Sequence, residues 1–70
     1  MSIVWEKDGE AFYATVTDEA GRPQLHLIVE RDGSAWDWAV WRPGEDRAGA
    51  RHGRTVTRHA AVWDAERATL

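Results

Sequence analysis

Three histidines and a cluster of arginines are the residues of this sequence whose chemistry is worth testing first. If the segments around them pair as strands, His26 and Asp37 fall on one sheet face, diagonally across from each other. A carboxylate beside an imidazole can orient a general base. No Ser, Thr or Cys nucleophile falls naturally beside them, and an open sheet face excludes no water, so a surface polar pair is the expectation. His52 and His59 stand seven apart with a glycine between them. That is not the spacing of a local metal pair, and no third ligand accompanies them. The chain has no cysteine, hence no disulfide and no thiolate site. Neither "RDGSAW" nor "AGARHGR" is a phosphate-binding glycine loop. These residues predict no catalytic site, no cofactor and no metal.

The arginines offer a different chemistry. Arg47, Arg51, Arg54 and Arg58, with Arg42 nearby, form the one basic stretch, and arginines near an aromatic can hold a nucleic-acid strand. Charge argues against that use. The net formal charge is −3, and no RNA-binding sequence pattern is present. Residues 1–37 carry eight acids against three bases, whereas residues 38–70 carry four acids against six. The chain is therefore dipolar, and its acidic half suits a basic partner.

These side chains need elements to position them. Seventy residues suffice for one small domain, 1–70, with a core that five tryptophans must enlarge. The N-terminus shows no leader and no stretch is long enough to span a bilayer, which predicts a cytoplasmic protein. Asp8-Gly9 and Asp32-Gly33 are hairpin signals for type I′ turns. Counting outward, Trp5 faces Phe12 and Ile3 faces Ala14 in the first hairpin. In the second, Val29 faces Trp36, Leu27 faces Trp38 and Leu25 faces Val40. The link "DEAGRP" is rich in turn formers. It sets Thr17 opposite Gln24, Ala14 opposite Leu27 and Phe12 opposite Val29. All three turns gather the large apolar residues on one face, as a fixed register requires.

The sequence thus predicts an α+β fold: a four- to five-stranded antiparallel β-meander with one C-terminal helix on one face. Strands are expected near 3–7, 10–17, 24–31 and 34–42. A possible fifth, 48–52, follows a four-residue loop within "RPGEDR". The helix is expected over about 58–68, capped by Thr57. The core is Ile3, Trp5, Phe12, Ala14, Val16, Leu25, Leu27, Val29, Trp36, Trp38 and Val40. Two helix faces compete for burial, Ala61/Ala65/Ala68 and Val56/Ala60/Trp63. The alanine face is favoured because it approaches bulky indoles closely, and it leaves Trp63 as a contact residue.

The opposite sheet face is too apolar for a solvated one. It shows Val4 opposite Tyr13, Ile28 opposite Asp37, and Trp41 opposite Gln24. Aromatic anchors of this kind dominate protein interfaces. Val4, Tyr13, Ile28, Trp41 and Trp63 are therefore the expected partner-binding residues. Asp8, Glu10, Asp18, Glu19 and Asp32 are expected to steer toward a basic surface. The first strand, "IVWEK", is a weakly protected edge, so the chain is expected as a monomer or an edge-paired dimer.

Trp5, Gly9, Ala14, Gly33, Trp36, Trp38, Val40, Gly53, Thr57, Ala61 and Ala65 carry a resemblance that spans nearly the whole chain. The pattern resembles small Trp-rich meander-plus-helix proteins of phages, prophages and proteobacterial mobile elements. Some acidic proteins of this size are anti-CRISPR inhibitors. The resemblance implies a non-catalytic inhibitor that occupies the DNA-recognition surface of a bacterial defence complex, a larger protein or ribonucleoprotein with a basic surface. The other readings are a nucleic-acid-binding module using the arginine loop and a prophage domain of another role.

Overall fold

The computed structural model describes residues 3–46 and 49–69. Five strands form one antiparallel sheet in the order β1-β2-β3-β4-β5, followed by one helix. The strands are β1 (Trp5–Asp8), β2 (Ala11–Thr17), β3 (Pro23–Asp32), β4 (Ala35–Trp41) and β5 (Arg51–Thr55), and the helix is α1 (Arg58–Arg67). The α+β meander is as the alternation predicted.

Both tight hairpins correct the predicted register by two. Asp8 pairs with Ala11 and Trp5 with Ala14, while Asp32 pairs with Ala35, Val29 with Trp38 and Leu27 with Val40. The loops are therefore Gly9-Glu10 and Gly33-Ser34. Gly9 and Gly33 have φ of +62° and +63°, and no non-glycine residue described has positive φ. Glycine in the first central position defines the type II′ pattern. A type I′ turn would force the aspartate itself into the left-handed region, which costs L-residues free energy. Moving the loop by one residue leaves that conformation to glycine alone. A shift of two preserves parity, so every predicted core residue keeps its face.

The β2–β3 register is as predicted from Phe12 opposite Val29 to Val16 opposite Leu25. It then slips, and Thr17 meets Pro23 rather than Gln24. Asp18 organises this turn. Its Oδ1 accepts from the backbone N–H groups of Ala20 and Arg22, both at 2.9 Å. Its Oδ2 accepts from Gln24 Nε2 at 3.2 Å. The β4–β5 connection is longer than predicted. Arg42-Pro43-Gly44-Glu45 closes with a 3.0 Å bond from Glu45 N to Arg42 O, and Gly44 has φ +83°. Proline then glycine at the two central positions is the type II choice. The fifth strand starts at Arg51, not at residue 48; of the predicted segment, residue 48 lies outside the described residues.

Gly53 marks the place on β5 where Trp38 lies. A Cβ built on Gly53 would meet the Trp38 indole at 2.6 Å from Nε1. Gly53 lies just past the predicted segment 48–52, and its missing Cβ is what admits the indole.

Thr57 caps α1 as expected. Its backbone is extended (φ −132°, ψ 151°), and its Oγ1 accepts from Ala60 N at 3.1 Å. Thr57→Ala should cost about 1 kcal/mol, read as a lowered urea midpoint at unchanged slope. No loss would mean that water caps this turn equally well. Ala61 and Ala65 are fully buried, with Val62 and Ala68 packed beside them. The alanine face is thus the inner one. At the other helix end, Arg51 donates to the Ala68 carbonyl at 3.0 Å, a cation placed where the helix dipole favours it.

The body of the helix lies over β3, β4 and β5. Over β1 and β2 the cover is side chains: Ile3, Trp5 and Phe12 lie half-buried against the core. Arg58 reaches across from the start of α1, with its guanidinium 5.0 Å from the Phe12 ring centroid. Every predicted core residue belongs to this cluster, the fully buried centre being Leu27 and Val29.

Candidate protein-binding surfaces

Alternation along the strands determines what the outer sheet face shows. One row runs straight across it in register: Glu6, Tyr13, Ile28, Ala39 and His52. The neighbouring row brings Glu30, Asp37 and Arg54 together. The row on the other side places Thr15, His26 and Trp41 side by side.

This arrangement corrects several expectations. Asp37 faces Glu30 and Arg54, and His26 faces Trp41, so the His26–Asp37 pair does not form. His26 instead lies against Trp41, ring centroids 5.7 Å apart and tilted by 40°, with Thr15 Oγ1 3.3 Å from its Nδ1. Ile28 sits on the predicted face but is only 2% exposed. It occupies the central strand between Tyr13 and Ala39, and a branched side chain there is shielded by its own sheet neighbours. Ile28 is a floor rather than an anchor. Trp41 is half-buried, whereas Val4 and Tyr13 are exposed as expected. Beside Ile28 lies a groove of about 570 Å³ whose lining includes Ile28, Glu30, Asp37, Ala39, His52 and Arg54.

The arginines do not make one patch. Arg54 Nη1 donates to Asp32 at 2.7 Å and to Asp37 at 3.1 Å, and its Nη2 reaches the Asp32 carbonyl at 3.4 Å. The Asp32 hydrogen bond, then the charge of Asp37, raise the Arg54 pKa above its ordinary value. Arg51 and Arg54 are three apart on one strand, so they emerge on opposite faces. Arg51 goes to the helix C-terminus and Arg58 to Phe12. Arg47 lies outside the described residues.

The acids are divided too. Asp8, Glu10 and Asp32 stand at one end of the meander, where both glycine hairpins turn, while Asp18 and Glu19 stand at the other. Asp18 also holds its turn and Asp32 pairs with Arg54, both from exposed positions. Glu10 approaches Arg31 at 3.9 Å, an exposed pair of small energetic weight.

The helix carries the second surface. Trp63 is 59% exposed and Val56, just before the cap, is 85% exposed. A cleft of about 280 Å³ beside the indole is lined by His59, Val62, Trp63 and Glu66. Among the described residues no group of His, Asp and Glu could hold a metal ion, and no helix is long and apolar enough to cross a membrane. The fold and these surfaces define a small α+β domain with two uncovered aromatic sites on opposite sides. No family model, curated protein or solved structure matches the chain.

Proposed function

We propose that the chain is a small non-catalytic binding module that occupies a surface of a larger protein, with Trp63 as its anchor. One observation carries this reading: α1 docks through alanines and turns its largest apolar side chain outward. A tryptophan buried in the core would contribute several times what an alanine does, at about 25 cal/mol per Å² of apolar area. Tryptophan is also among the residue types most enriched where interfaces concentrate their binding energy. Val56, exposed just before the cap, is a second uncovered apolar side chain near the start of the helix.

The inhibitor role, blocking DNA recognition by a bacterial defence complex in the cytoplasm, rests on the sequence resemblance and on the acid-rich first half. Asp8 and Glu10, at one hairpin tip, are the acids best placed to approach a basic surface. The test is target-DNA loading by purified RNA-guided surveillance complexes, with the parent chain and Trp63→Ala added in turn. The parent is expected to block loading at near-stoichiometric amounts. Trp63→Ala should weaken the block about 30-fold or more, the scale of an interface hot spot, and leave thermal unfolding within about 0.5 kcal/mol of the parent. No block by the parent in any complex would remove the inhibitor role. Steeply salt-dependent binding to bare DNA or RNA, unaffected at Trp63, would transfer the function to nucleic acid.

A further inference from the structure

We infer that the groove on the outer sheet face is a docking site for an arginine of a partner protein, presented on a basic, extended segment. The site lies on the far side of the sheet from Trp63, so it neither rests on that reading nor falls with it.

Charge divides sharply between the two faces of the sheet. By strand parity, Glu6, Asp8, Glu30, Asp32 and Asp37 stand on the outer face, and Arg54 is the one arginine or lysine there among the described strand residues. Lys7, Arg31 and Arg51 have the opposite parity and belong to the helix side. Arg54 offsets only part of the acid, through Asp32 and Asp37. Such a face repels a second copy of itself and any phosphate backbone, and it attracts a basic chain.

The groove adds shape to charge. Ala39 has the smallest side chain of the central row, between Ile28 and His52, and the groove of about 570 Å³ opens there. Ile28 and Ala39 give it apolar lining, and Glu30 and Asp37 line it one row along. Tyr13, 42% exposed, rises on the other side of Ile28. An arginine side chain matches each part. Its aliphatic stem lies on Ile28 and Ala39, as long cationic side chains do on apolar surface. Its planar guanidinium forks between neighbouring carboxylates and reaches the face of a nearby tyrosine ring. Lysine is a point charge without that fork. Arg54 shows the same chemistry from within the chain, with Nη1 donating to Asp32 at 2.7 Å and to Asp37 at 3.1 Å. An ionised carboxylate accepts at about four lone-pair sites, so Asp37 can serve a second guanidinium.

The test is titration of the isotope-labelled full chain with the capped peptide Gly-Arg-Gly-Arg-Gly at physiological salt, followed by amide NMR. Shifts at Ile28, Ala39 and His52 are expected to saturate with an apparent Kd below about 1 mM. Citrulline in place of both arginines keeps the shape without the charge and should remove the shifts, while lysine should weaken binding several-fold. Tyr13→Ala and Glu30→Gln should each weaken it several-fold. Ala39→Phe fills the groove with the charge intact and should weaken it at least about tenfold. Glu45→Gln removes equal charge from the β4–β5 turn and should leave it unchanged. Thermal unfolding is the folding control, and if Ala39→Phe fails to fold, Tyr13→Ala and Glu30→Gln decide. No saturable shift at these amides, or equal binding of the citrulline or lysine peptide, would overturn the inference. So would binding that the groove variants leave intact, which is diffuse charge attraction. Shifts of the same amides on concentrating the chain without peptide would give the face to a second copy and overturn it too.

Discussion

Leu27→Ala is expected to destabilise the chain by about 2–5 kcal/mol, the range for truncating a buried leucine. Leu27 is 1% exposed on the central strand, between Ala14 and Val40 and within the layer that α1 covers. Its neighbours explain why the upper part of the range applies. Ala14, Ala61 and Ala65 are short, so they cannot swing into the space that the leucine leaves. A cavity that stays open adds its own term to the lost transfer free energy. A single core in a domain this small rarely supplies more than about 3–5 kcal/mol, so the variant should be largely unfolded at room temperature. Urea titration followed by Trp fluorescence reads this directly. A loss below about 1 kcal/mol would mean that α1 does not seal this part of the sheet.

Gly53→Ala is expected to cost about 1–3 kcal/mol, the usual effect of overpacking. The new methyl would lie 2.6–2.8 Å from Nε1, Cε2 and Cζ2 of Trp38, where ordinary contact begins at 3.4 Å. Gly53 needs no positive φ, so the whole cost comes from the indole. Moving that ring also disturbs Val29, which pairs with Trp38 from the other side. The diagnostic is a double-mutant cycle. With Trp38→Leu already in place, Gly53→Ala should cost little or even stabilise, because glycine weakens a strand. A coupling of about 1 kcal/mol or more is expected between such contacting residues. Equal costs in both backgrounds would show that something other than Trp38 holds this position to glycine.

The faces of the sheet were legible in the sequence because parity survives a shift of two. Trp36, Trp38 and Val40 lie inward and Trp41 outward whichever residue of Asp-Gly opens the turn. Register was not legible, because the choice between two turn types depends on which residue takes the positive φ. Helix orientation could be read from the three alanines, whose small size suits close approach to a sheet already bearing indoles. The bounds of β5 could not, since the predicted segment 48–52 stops short of Gly53, whose place in the strand depends on Trp38 lying above it. The functional residues were harder still. Ile28 and Tyr13 have the same parity, yet one is buried and one projects, because central and flanking strands differ in lateral shielding. The internal use of Asp18 by its turn and of Asp32 by Arg54 depends on neighbours that only a folded chain supplies. Asp18 at the head of a turn-rich segment carried a signal for this role, since aspartate side chains organise turns by binding backbone N–H groups.

The strict chain-order sequence of the strands bears on how the molecule is made. Each strand pairs with the one synthesised just before it, so every closure in the sheet is short and entropically cheap. The meander can therefore grow from its N-terminal hairpin while the ribosome is still adding residues. The helix breaks that locality: it follows β5 yet returns over β3. Until α1 has been added, the face carrying Leu27 and Val29 stands wet. Between the synthesis of β5 and that of α1 the growing chain exposes its stickiest surface, and a chaperone or a second nascent chain then has most to bind.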